Sequence, residues 1–232
     1  MKADAPLLVE LIGQPGAGKT TLARAATAGS ELHTRGELGS AWAHLPILTK
    51  ASLFGRAILD GACLARAIQL ALGARLFRGD SLSRLFRLLI KSHWIRAQSG
   101  RLLLEEGCLQ DLWSIYYSAG RWEPEPRQLA PLIRCLYRGV RARLVFLEVD
   151  PQRAFDRIRG RTHGKSRLDR LAEADLRQHL SKTAQLPHKL ADAAQLAGLR
   201  VETLDASLPV ETTVRRLRAV MQELDLFPTS GG

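Results

Sequence analysis

One stretch near the start of the chain decides the fold: Leu7-Leu8-Val9-Glu10-Leu11-Ile12-Gly13-Gln14-Pro15-Gly16-Ala17-Gly18-Lys19-Thr20-Thr21. An apolar run, typical of a buried strand, leads into the pattern Gly-x-x-x-x-Gly-Lys-Thr at residues 13–20. This is the phosphate-binding loop pattern called Walker A, and apolar residues at helical spacing follow it. A chance glycine-rich turn explains a strand, a loop and a helix in this order far less well.

The residue types in this loop suit a polyphosphate. Glycines let the backbone wrap the phosphates closely, and the helix that follows points its positive end at them. Lys19 can reach the β- and γ-phosphates, and the Thr20 hydroxyl can bind Mg²⁺. The loop therefore predicts ATP and Mg²⁺ as ligands, and the nucleotide-binding residues are predicted to be Gly13, Gln14, Pro15, Gly16, Ala17, Gly18, Lys19, Thr20 and Thr21.

Length and composition narrow the class of protein. A chain of 232 residues suits one α/β domain, expected over residues 1–227, with a disordered tail at 228–232. The three cysteines have no paired spacing, which favours a reducing cytosol over a disulfide framework or a zinc site. We see no secretory signal and no uncharged stretch near the length of a membrane span, so the sequence predicts a cytoplasmic protein without a membrane partner.

The chain is strongly basic, with 34 Lys and Arg residues against 23 Asp and Glu residues and a net charge of +11. Such charge fits anionic ligands such as phosphates, nucleotides or nucleic acid. Biased composition, with arginines on solvated helix faces, explains the total equally well. Nucleic acid therefore stays open as a partner but is not favoured.

The order of elements predicts a three-layer α/β fold with five parallel strands and helices on both faces. Residues 50–99 are predicted to form two or three basic amphipathic helices, a helical insertion that covers the substrate. A helix set that binds nucleic acid is the alternative for this segment. The predicted strands are 7–12, a short one at 31–35, 102–104, 144–149 and 199–204. A late helix at 173–195 is expected to break or kink near Pro187.

Two acids follow the second buried strand at the edge where ligands bind in parallel sheets. Glu105 and Glu106 come directly after Leu102-Leu103-Leu104. One would complete the Mg²⁺ shell with Thr20, for which Glu105 is the candidate, and the other would accept a substrate proton. Which acid does which stays open, and the pair could also be a simple helix-start charge.

Two further stretches carry a resemblance to a known family. One is Leu144-Val145-Phe146-Leu147-Glu148-Val149-Asp150-Pro151 with Ala154, Arg157, Ile158 and Arg161, and the other is Gly198-Leu199-x-Val201-x-x-Leu204-Asp205-Ala206-Ser207 with Val214. With the Walker A loop, they resemble P-loop kinases of the nucleoside-monophosphate-kinase type, nearest the thymidylate kinase group. The resemblance covers both ends of the chain and fades between residues 35 and 100.

The resemblance implies an arginine-rich lid at about residues 151–171 that closes over the transferring phosphoryl group. Arg157 and Arg161 would be the lid arginines, because their cations neutralise charge that spreads over the equatorial oxygens. A solvated arginine-rich helix face is the alternative. Nearby cations with less defined placement are Arg153, Arg159, Lys165 and Arg167.

The expected function is ATP-dependent transfer of the γ-phosphoryl group to a small molecule: a nucleotide, a nucleoside or a sugar-like acceptor. With Lys19, Glu105, Glu106, Arg157 and Arg161 as catalytic residues, the chain would be a P-loop kinase. The alternative is a P-loop ATPase or nucleotide switch that acts with a protein or nucleic-acid partner. The thymidylate kinase group usually carries Asp-Arg and an aromatic residue where this chain has Glu105-Glu106-Gly107, so the identity of the acceptor stays open. Whether the chain forms a homodimer also stays open.

Overall fold

The structure is a computed structural model that describes residues 5–28, 45–77, 80–160 and 167–224. The described chain alternates strands with helices, as the sequence predicts. The strands are β1 (Leu7–Ile12), β2 (Arg101–Leu104), β3 (Arg141–Glu148) and β4 (Arg200–Asp205). The helices are α1 (Lys19–Thr27), α2 (Ile47–Leu59), α3 (Gly61–Gly73), α4 (Ser81–Arg96), α5 (Cys108–Ser118), α6 (Pro126–Leu136), α7 (Pro151–Arg159), α8 (Glu173–Thr183), α9 (Gln185–Leu196) and α10 (Val210–Glu223), with a short 3₁₀ helix at Arg167–Arg170.

The sheet is parallel throughout, in the order β2-β1-β3-β4. It has four strands in the described residues, so the prediction of five strands is wrong in number. The fifth predicted strand, 31–35, lies outside the described residues. In the register of the sheet, Glu10 on β1 lies beside Leu104 on β2 and beside Leu144 on β3. The carboxyl ends of β2 and β3 therefore flank the phosphate-binding loop that follows β1.

Two separate apolar cores, one on each face of the sheet, make the three layers. Side chains alternate along β1, so Leu8 and Ile12 belong to one core while Val9 and Leu11 belong to the other. Helices α2 to α6 and α9 cover the first face, and α1, α7, α8 and α10 cover the second. The loop at 13–18 passes to α1 on the second face.

Three helices, α2 to α4, occupy the segment that the sequence predicts to be helical and basic. Asp60 joins the first two, because its side chain accepts a hydrogen bond from the Cys63 amide at the start of α3. The Asp60 carboxylate also pairs with Arg96 of α4 at 3.0 Å and with Arg138 at 2.8 Å. This ionic cluster fixes α2 and α3 against the rest of the helical layer.

The helix predicted at 173–195, with a break or kink near Pro187, is two helices that meet at Ala184, three residues before the proline. Pro187 is the third residue of α9, within the first turn, where a backbone N–H has no partner inside the helix. Because proline has no N–H to donate to the carbonyl four residues earlier, the first helix ends at Thr183 and a new helix begins just before the proline. Within the described residues, no helix has both the length and the apolar character needed to cross a membrane. The predicted disordered tail at 228–232 lies outside the described residues.

Candidate active site

The phosphate-binding loop has the backbone that its glycines require. Gly16 and Gly18 have φ angles of 88° and 87°, in the left-handed region that favours glycine. A Cβ on Gly16 would lie 2.6 Å from the Ala154 carbonyl oxygen, and one on Gly13 would lie 2.8 Å from the Leu147 carbonyl oxygen. The loop is thus pressed against β3 and the start of α7, and side chains larger than hydrogen do not fit at these positions.

Lys19 and Thr20 stand at the start of α1, directly after the loop. Lys19 Nζ donates hydrogen bonds to the carbonyl oxygens of Gly13, at 2.8 Å, and Gln14, at 3.4 Å, so the ammonium group lies across the loop. Thr20 and Thr21 are exposed in the first turn of the helix. The start of a helix, with its positive dipole end, is a site where phosphate binds well.

Two hydrogen bonds hold the middle of the loop, one within the loop and one to the residue that follows β3. The Ala17 amide donates to the Gln14 carbonyl at 3.1 Å, which closes a tight turn over Pro15. Gln14 Nε2 donates to the Val149 carbonyl at 2.9 Å, at the end of β3. The loop residues predicted to bind nucleotide therefore lie together at one edge of the sheet.

The acid pair lies at the same edge, at the end of β2. Glu105 is 8% exposed, whereas Glu106 is exposed. The two acids therefore have different surroundings. The turn at 105–107 then enters α5, whose first residue is Cys108.

A buried carboxylate on β1, Glu10, binds the far side of this turn. Its oxygens accept hydrogen bonds from the amides of Cys108 at 3.0 Å, Leu109 at 2.8 Å and Gln110 at 3.3 Å. The Tyr137 hydroxyl donates a further short bond to Glu10. Glu10 therefore caps α5 from the neighbouring strand, although burial raises the pKa of its carboxyl group above the usual value.

Gly107 makes this cap geometrically feasible. A Cβ on Gly107 would lie 2.0 Å from Glu10 Oε2. No side chain fits between the turn and the carboxylate, so the absence of one at residue 107 lets Glu10 reach the helix amides.

Lys91 on α4 holds the same turn from a second direction. Its Nζ donates to the Glu106 carbonyl at 2.9 Å and pairs with the Asp111 carboxylate at 2.7 Å. Burial alone would lower the pKa of Lys91, but the Asp111 carboxylate raises it, so the ammonium group stays charged. Three elements, β1, α4 and α5, thus fix the backbone that carries Glu105 and Glu106.

Arg157 on α7 reaches the loop from the β3 side. Its Nη2 donates to the Ala206 carbonyl at 2.7 Å, and its Nη1 lies 3.5 Å from the Gly16 carbonyl. A Cβ on Gly18 would lie 3.7 Å from the same Nη1. Asp150 caps the start of this helix, because its side chain accepts hydrogen bonds from the Gln152 and Arg153 amides.

The other predicted lid cations are more dispersed. Arg153 donates to the Ser207 carbonyl at 2.7 Å, and Arg159 donates to the Leu171 carbonyl at 2.8 Å. Arg161 and Lys165 lie outside the described residues, as does the side chain of Arg167. The structure therefore brings Lys19 and Arg157 to one loop, and Arg161 stays a prediction.

A cavity of about 380 Å³ opens beside the loop, on the face of the sheet that α9 covers. Gln14, Glu148, Asp150 and His188 contribute polar atoms to its lining, and Phe146 forms an apolar wall. Within the described part of the chain, the buried Oε1 atom of Gln14 has no hydrogen-bond partner. The cavity thus presents acceptor atoms to any group that enters it.

Sequence reasoning did not assign Glu10, Lys91 or Tyr137 to this site. The sequence does contain a sign that Glu10 is special, since it is the one acid within the apolar run that forms β1. An acid in a central strand must find partners, because an unpaired buried charge is very costly. Its partners come from residues about 100 and 127 positions away, and spacing along the chain does not reveal them.

Comparison with known proteins supports the fold. No protein-family profile matches the chain, and no curated protein sequence matches it either. Among solved structures, a deoxyadenosine kinase from M. mycoides with products dCMP and a flexible dCDP bound is similar, with a TM-score of 0.53 and 13% identity over 94% of this chain and 99% of that one. The deoxyadenosine kinase from M. mycoides with bound dATP gives a TM-score of 0.50 and 14% identity over 94% and 99% of the two chains. This chain has the P-loop kinase fold.

At this level of identity the likeness extends to the fold alone. The prediction of an α/β P-loop fold with a parallel sheet and helices on both faces is confirmed. The narrower resemblance to thymidylate kinases stays a prediction.

Proposed function

We propose that this chain is an ATP-dependent phosphotransferase that moves the γ-phosphoryl group to a small-molecule acceptor of nucleoside, nucleotide or sugar type. The observation that carries the proposal is the approach of two cations to one loop. Lys19 Nζ lies 2.8 Å from the Gly13 carbonyl and Arg157 Nη1 lies 3.5 Å from the Gly16 carbonyl. Phosphoryl transfer depends on such positioned cations, because negative charge spreads over the phosphoryl oxygens in the transition state.

The residues on the two sides of the loop would have different roles in the reaction. On the β3 side, Arg157 would move from main-chain carbonyls to the phosphates, since a guanidinium group binds phosphate oxygens with two parallel bonds. On the β2 side, Glu105 or Glu106 would accept the proton of the acceptor hydroxyl. Arg161 is proposed as a second lid arginine.

Mg²⁺ is the metal that this set of side chains suits. Among the described residues, no group of three or more His, Cys, Asp or Glu side chains could hold a metal alone. Mg²⁺ in kinase sites usually needs only one or two protein oxygens, because the phosphates and water supply the rest. Thr20 would hold it, with Glu105 as the acid on the neighbouring strand, and the ion would neutralise charge on the phosphates.

The lining of the cavity beside Gln14 favours an acceptor that donates hydrogen bonds. The carboxylates of Glu148 and Asp150 and the Oε1 atom of Gln14 are all hydrogen-bond acceptors. A hydroxyl group would pair with such atoms, whereas a phosphate would meet like charge. The solved deoxyadenosine kinases of the same fold hold bound deoxynucleotides, which agrees with a nucleoside-type molecule as the first to test.

A coupled assay of ADP release tests the proposal with separate panels of nucleosides, nucleotides and sugars. At least one acceptor should raise turnover tenfold or more above the rate with ATP alone. Lys19→Ala should lower that turnover by about 10²-fold or more, since each charge-stabilising group contributes at about this scale. Turnover that ignores every acceptor but rises with a protein or nucleic-acid partner would instead support the ATPase or switch alternative.

Folding must be separated from chemistry in this test. Lys19→Ala should keep the circular-dichroism spectrum and unfolding temperature of the wild type, because Lys19 is only partly buried. Arg134→Ala is a suitable control, since Arg134 also donates to a main-chain carbonyl, that of Leu196 at 3.0 Å, but belongs to α6. Normal turnover by a folded Lys19→Ala protein would refute the assignment of Lys19.

A further inference from the structure

The cavity beside Gln14 has an acidic lining in a basic protein. The chain carries 34 Lys and Arg residues against 23 Asp and Glu residues. The described residues that line the cavity nevertheless include two acids, Glu148 and Asp150, and neither Lys nor Arg. Its volume of about 380 Å³ suits a small molecule. The local charge is opposite to the net charge of the chain, so the cavity favours a different kind of ligand from the phosphates.

The alternation of side chains along β3 places both acids on one face. Phe146, Glu148 and Asp150 are separated by single residues that belong to the core on the other side of the sheet. Phe146 lies in the same core as α9. The His188 ring of α9 packs edge to face against Phe146, with the ring centroids 4.7 Å apart. The end of β3 therefore supplies the charges, and α9 forms the opposite wall.

The carboxylates keep oxygens that can accept further hydrogen bonds. The side chain of Glu148 is 54% exposed, and the nearest cationic partner given by the described residues, His188 Nε2, is 3.8 Å from its Oε1 atom. That separation is beyond hydrogen-bond distance. Asp150 uses one oxygen, Oδ1, for the amides at the start of α7, which leaves Oδ2. Both acids therefore retain acceptor capacity beside the cavity.

Gln14 adds a buried acceptor to this set. Its side chain is buried, and its Nε2 atom donates to the Val149 carbonyl at 2.9 Å. Within the described part of the chain, its Oε1 atom is buried without a hydrogen-bond partner. A buried polar atom that lacks a partner is costly, and a donor on a bound ligand would remove that cost. The remaining hydrogen-bonding capacity of Gln14 is that of an acceptor, as it is for the two acids.

We propose that this cavity binds a primary ammonium group, and that the phosphoryl acceptor is therefore an amine-bearing molecule such as an amino alcohol or an amino sugar. An ammonium group has three donors and no acceptor, which matches two carboxylates and an amide oxygen. Acids in a cleft with apolar walls also concentrate a cation from solution. The role as acceptor rests on the proposed phosphotransferase function, whereas binding of the ammonium group needs no phosphoryl transfer.

A metal ion and an anion fit the cavity less well. Among the residues that the structure describes, no group of three or more His, Cys, Asp or Glu side chains could hold a metal ion. An anion would meet the two carboxylates. The helix starts beside the cavity offer it few donors, because Asp150 already caps α7 and Pro187, in the first turn of α9, has no N–H.

A titration by ligand-observed NMR without ATP tests the site. The probes are 4-amino-1-butanol and 1,4-butanediol, which have the same length and differ in one end group. An alkyl amine of this kind is charged at neutral pH, as lysine is. Wild type should bind the amine about tenfold more tightly at low salt, because a hydrogen bond to a charged group contributes on that scale. The net charge of +11 repels cations in general, so a preference for the amine reports a local site.

Two results of this titration would overturn the proposal. One is equal affinity for the amine and the diol. The other is displacement of the amine by Mg²⁺ at equal concentration, which would identify a metal site. A preference for the amine that weakens as salt screens the charges would support the ammonium site.

Variants at one exposed acid locate the binding. Glu148→Gln keeps the size and removes the charge, so affinity for the amine should fall about fivefold or more. Glu148→Lys places an ammonium group of the chain itself beside the cavity and should weaken binding further. Glu202→Gln, at an exposed glutamate on β4, should leave the affinity within about twofold of wild type. All three should keep the wild-type unfolding temperature, and unchanged amine binding by Glu148→Gln would refute the site.

The assay of ADP release separates this proposal from the proposed function. Turnover with ATP should rise more with 4-amino-1-butanol than with the same concentration of 1,4-butanediol. If neutral acceptors are phosphorylated and the amine does not bind, the phosphotransferase function stands and the ammonium site is overturned. If the amine binds as expected and none of the acceptors raises turnover, the ammonium site stands and the phosphotransferase function fails.

Discussion

The two sides of the phosphate-binding loop are held by different kinds of interaction. On the β2 side, the buried groups Glu10 and Lys91 bind the backbone around Glu105 and Glu106 from two directions. On the β3 side, Arg157 and Arg153 reach from an exposed helix to the carbonyls of Ala206 and Ser207. The acid side is built from buried charges and the cation side from surface arginines.

This difference separates what folding fixes from what a ligand can change. Buried hydrogen bonds to a charged group are costly to break, so the acid-bearing turn keeps one position. An arginine bonded to a carbonyl at the surface contributes little, so it can exchange that partner for a phosphate oxygen at small cost. In the proposed kinase, the acids would therefore be in place before nucleotide binds, and Arg157 would be recruited by it.

Removal of the buried carboxylate should have the largest effect on stability. Glu10→Ala leaves three α5 amides and the Tyr137 hydroxyl without their acceptor. Because each buried unsatisfied group costs about 1–3 kcal/mol, the free energy of unfolding should fall by roughly 3–5 kcal/mol. Urea denaturation followed by circular dichroism measures this change.

Two controls define the origin of that loss. Glu202→Ala removes an exposed glutamate from β4 and should change stability by no more than about 0.5 kcal/mol. Glu10→Gln removes the titration and leaves one acceptor oxygen in place of two. Since burial raises the pKa of Glu10, the folded state binds its proton more tightly, and wild type should gain stability relative to Glu10→Gln as the pH falls towards 4.5. An equal loss in Glu202→Ala, or parallel pH profiles, would contradict the role of Glu10.

Gly107→Ala tests the contact between the turn and Glu10 from the opposite partner. The added Cβ would lie 2.0 Å from Glu10 Oε2, so we expect a loss of about 2–3 kcal/mol, the upper part of the range for overpacking. The double-mutant cycle with Glu10→Ala gives the sharper result. Once the carboxylate is gone, Gly107→Ala should cost less than about 1 kcal/mol, and additive losses would show that the two residues do not interact.

On the β3 side, alanine substitutions at two glycines with similar φ angles test how closely the loop packs against its neighbours. Gly16 and Gly100 have φ angles of 88° and 84°, but a Cβ would meet the Ala154 carbonyl at 2.6 Å only at Gly16. Both alanine variants carry the left-handed strain of about 1–2 kcal/mol. Gly16→Ala should lose a further 1–2 kcal/mol or so from the clash, and equal unfolding temperatures for the two would contradict the close packing of the loop.

The sequence reveals those parts of the site that depend on residues close together in the chain. The Walker A loop and the acid pair at the end of β2 depend on short spacings, and both lie at the edge of the sheet where the sequence predicts them. The Glu10 network depends on residues from four separate elements, which meet only after the sheet has formed. Periodicity shows that β1 is buried, but it does not show which partners satisfy the acid inside it.

The break between α8 and α9 is a local effect that the sequence reveals. Pro187 cannot donate to the carbonyl four residues earlier, and α8 ends at that residue, Thr183. The number of strands is different, because strand pairing is not a local property of the chain, and the sheet has four strands in the described residues.

The smallest effect on stability, and the clearest contrast between the two sides, is expected for Arg157→Ala. Arg157 is exposed and bonded to carbonyls, so the free energy of unfolding should change by no more than about 0.5 kcal/mol. If Arg157 leaves those carbonyls for the phosphoryl group in the transition state, kcat with the best acceptor should still fall by about 10²-fold. Arg134→Ala, which also removes an arginine–carbonyl bond, should leave kcat within about twofold of wild type. A loss of stability without a loss of kcat would show that Arg157 has a structural role and no role in phosphoryl transfer. The arginine side of the loop would then be held in place by folding, as the acid side is.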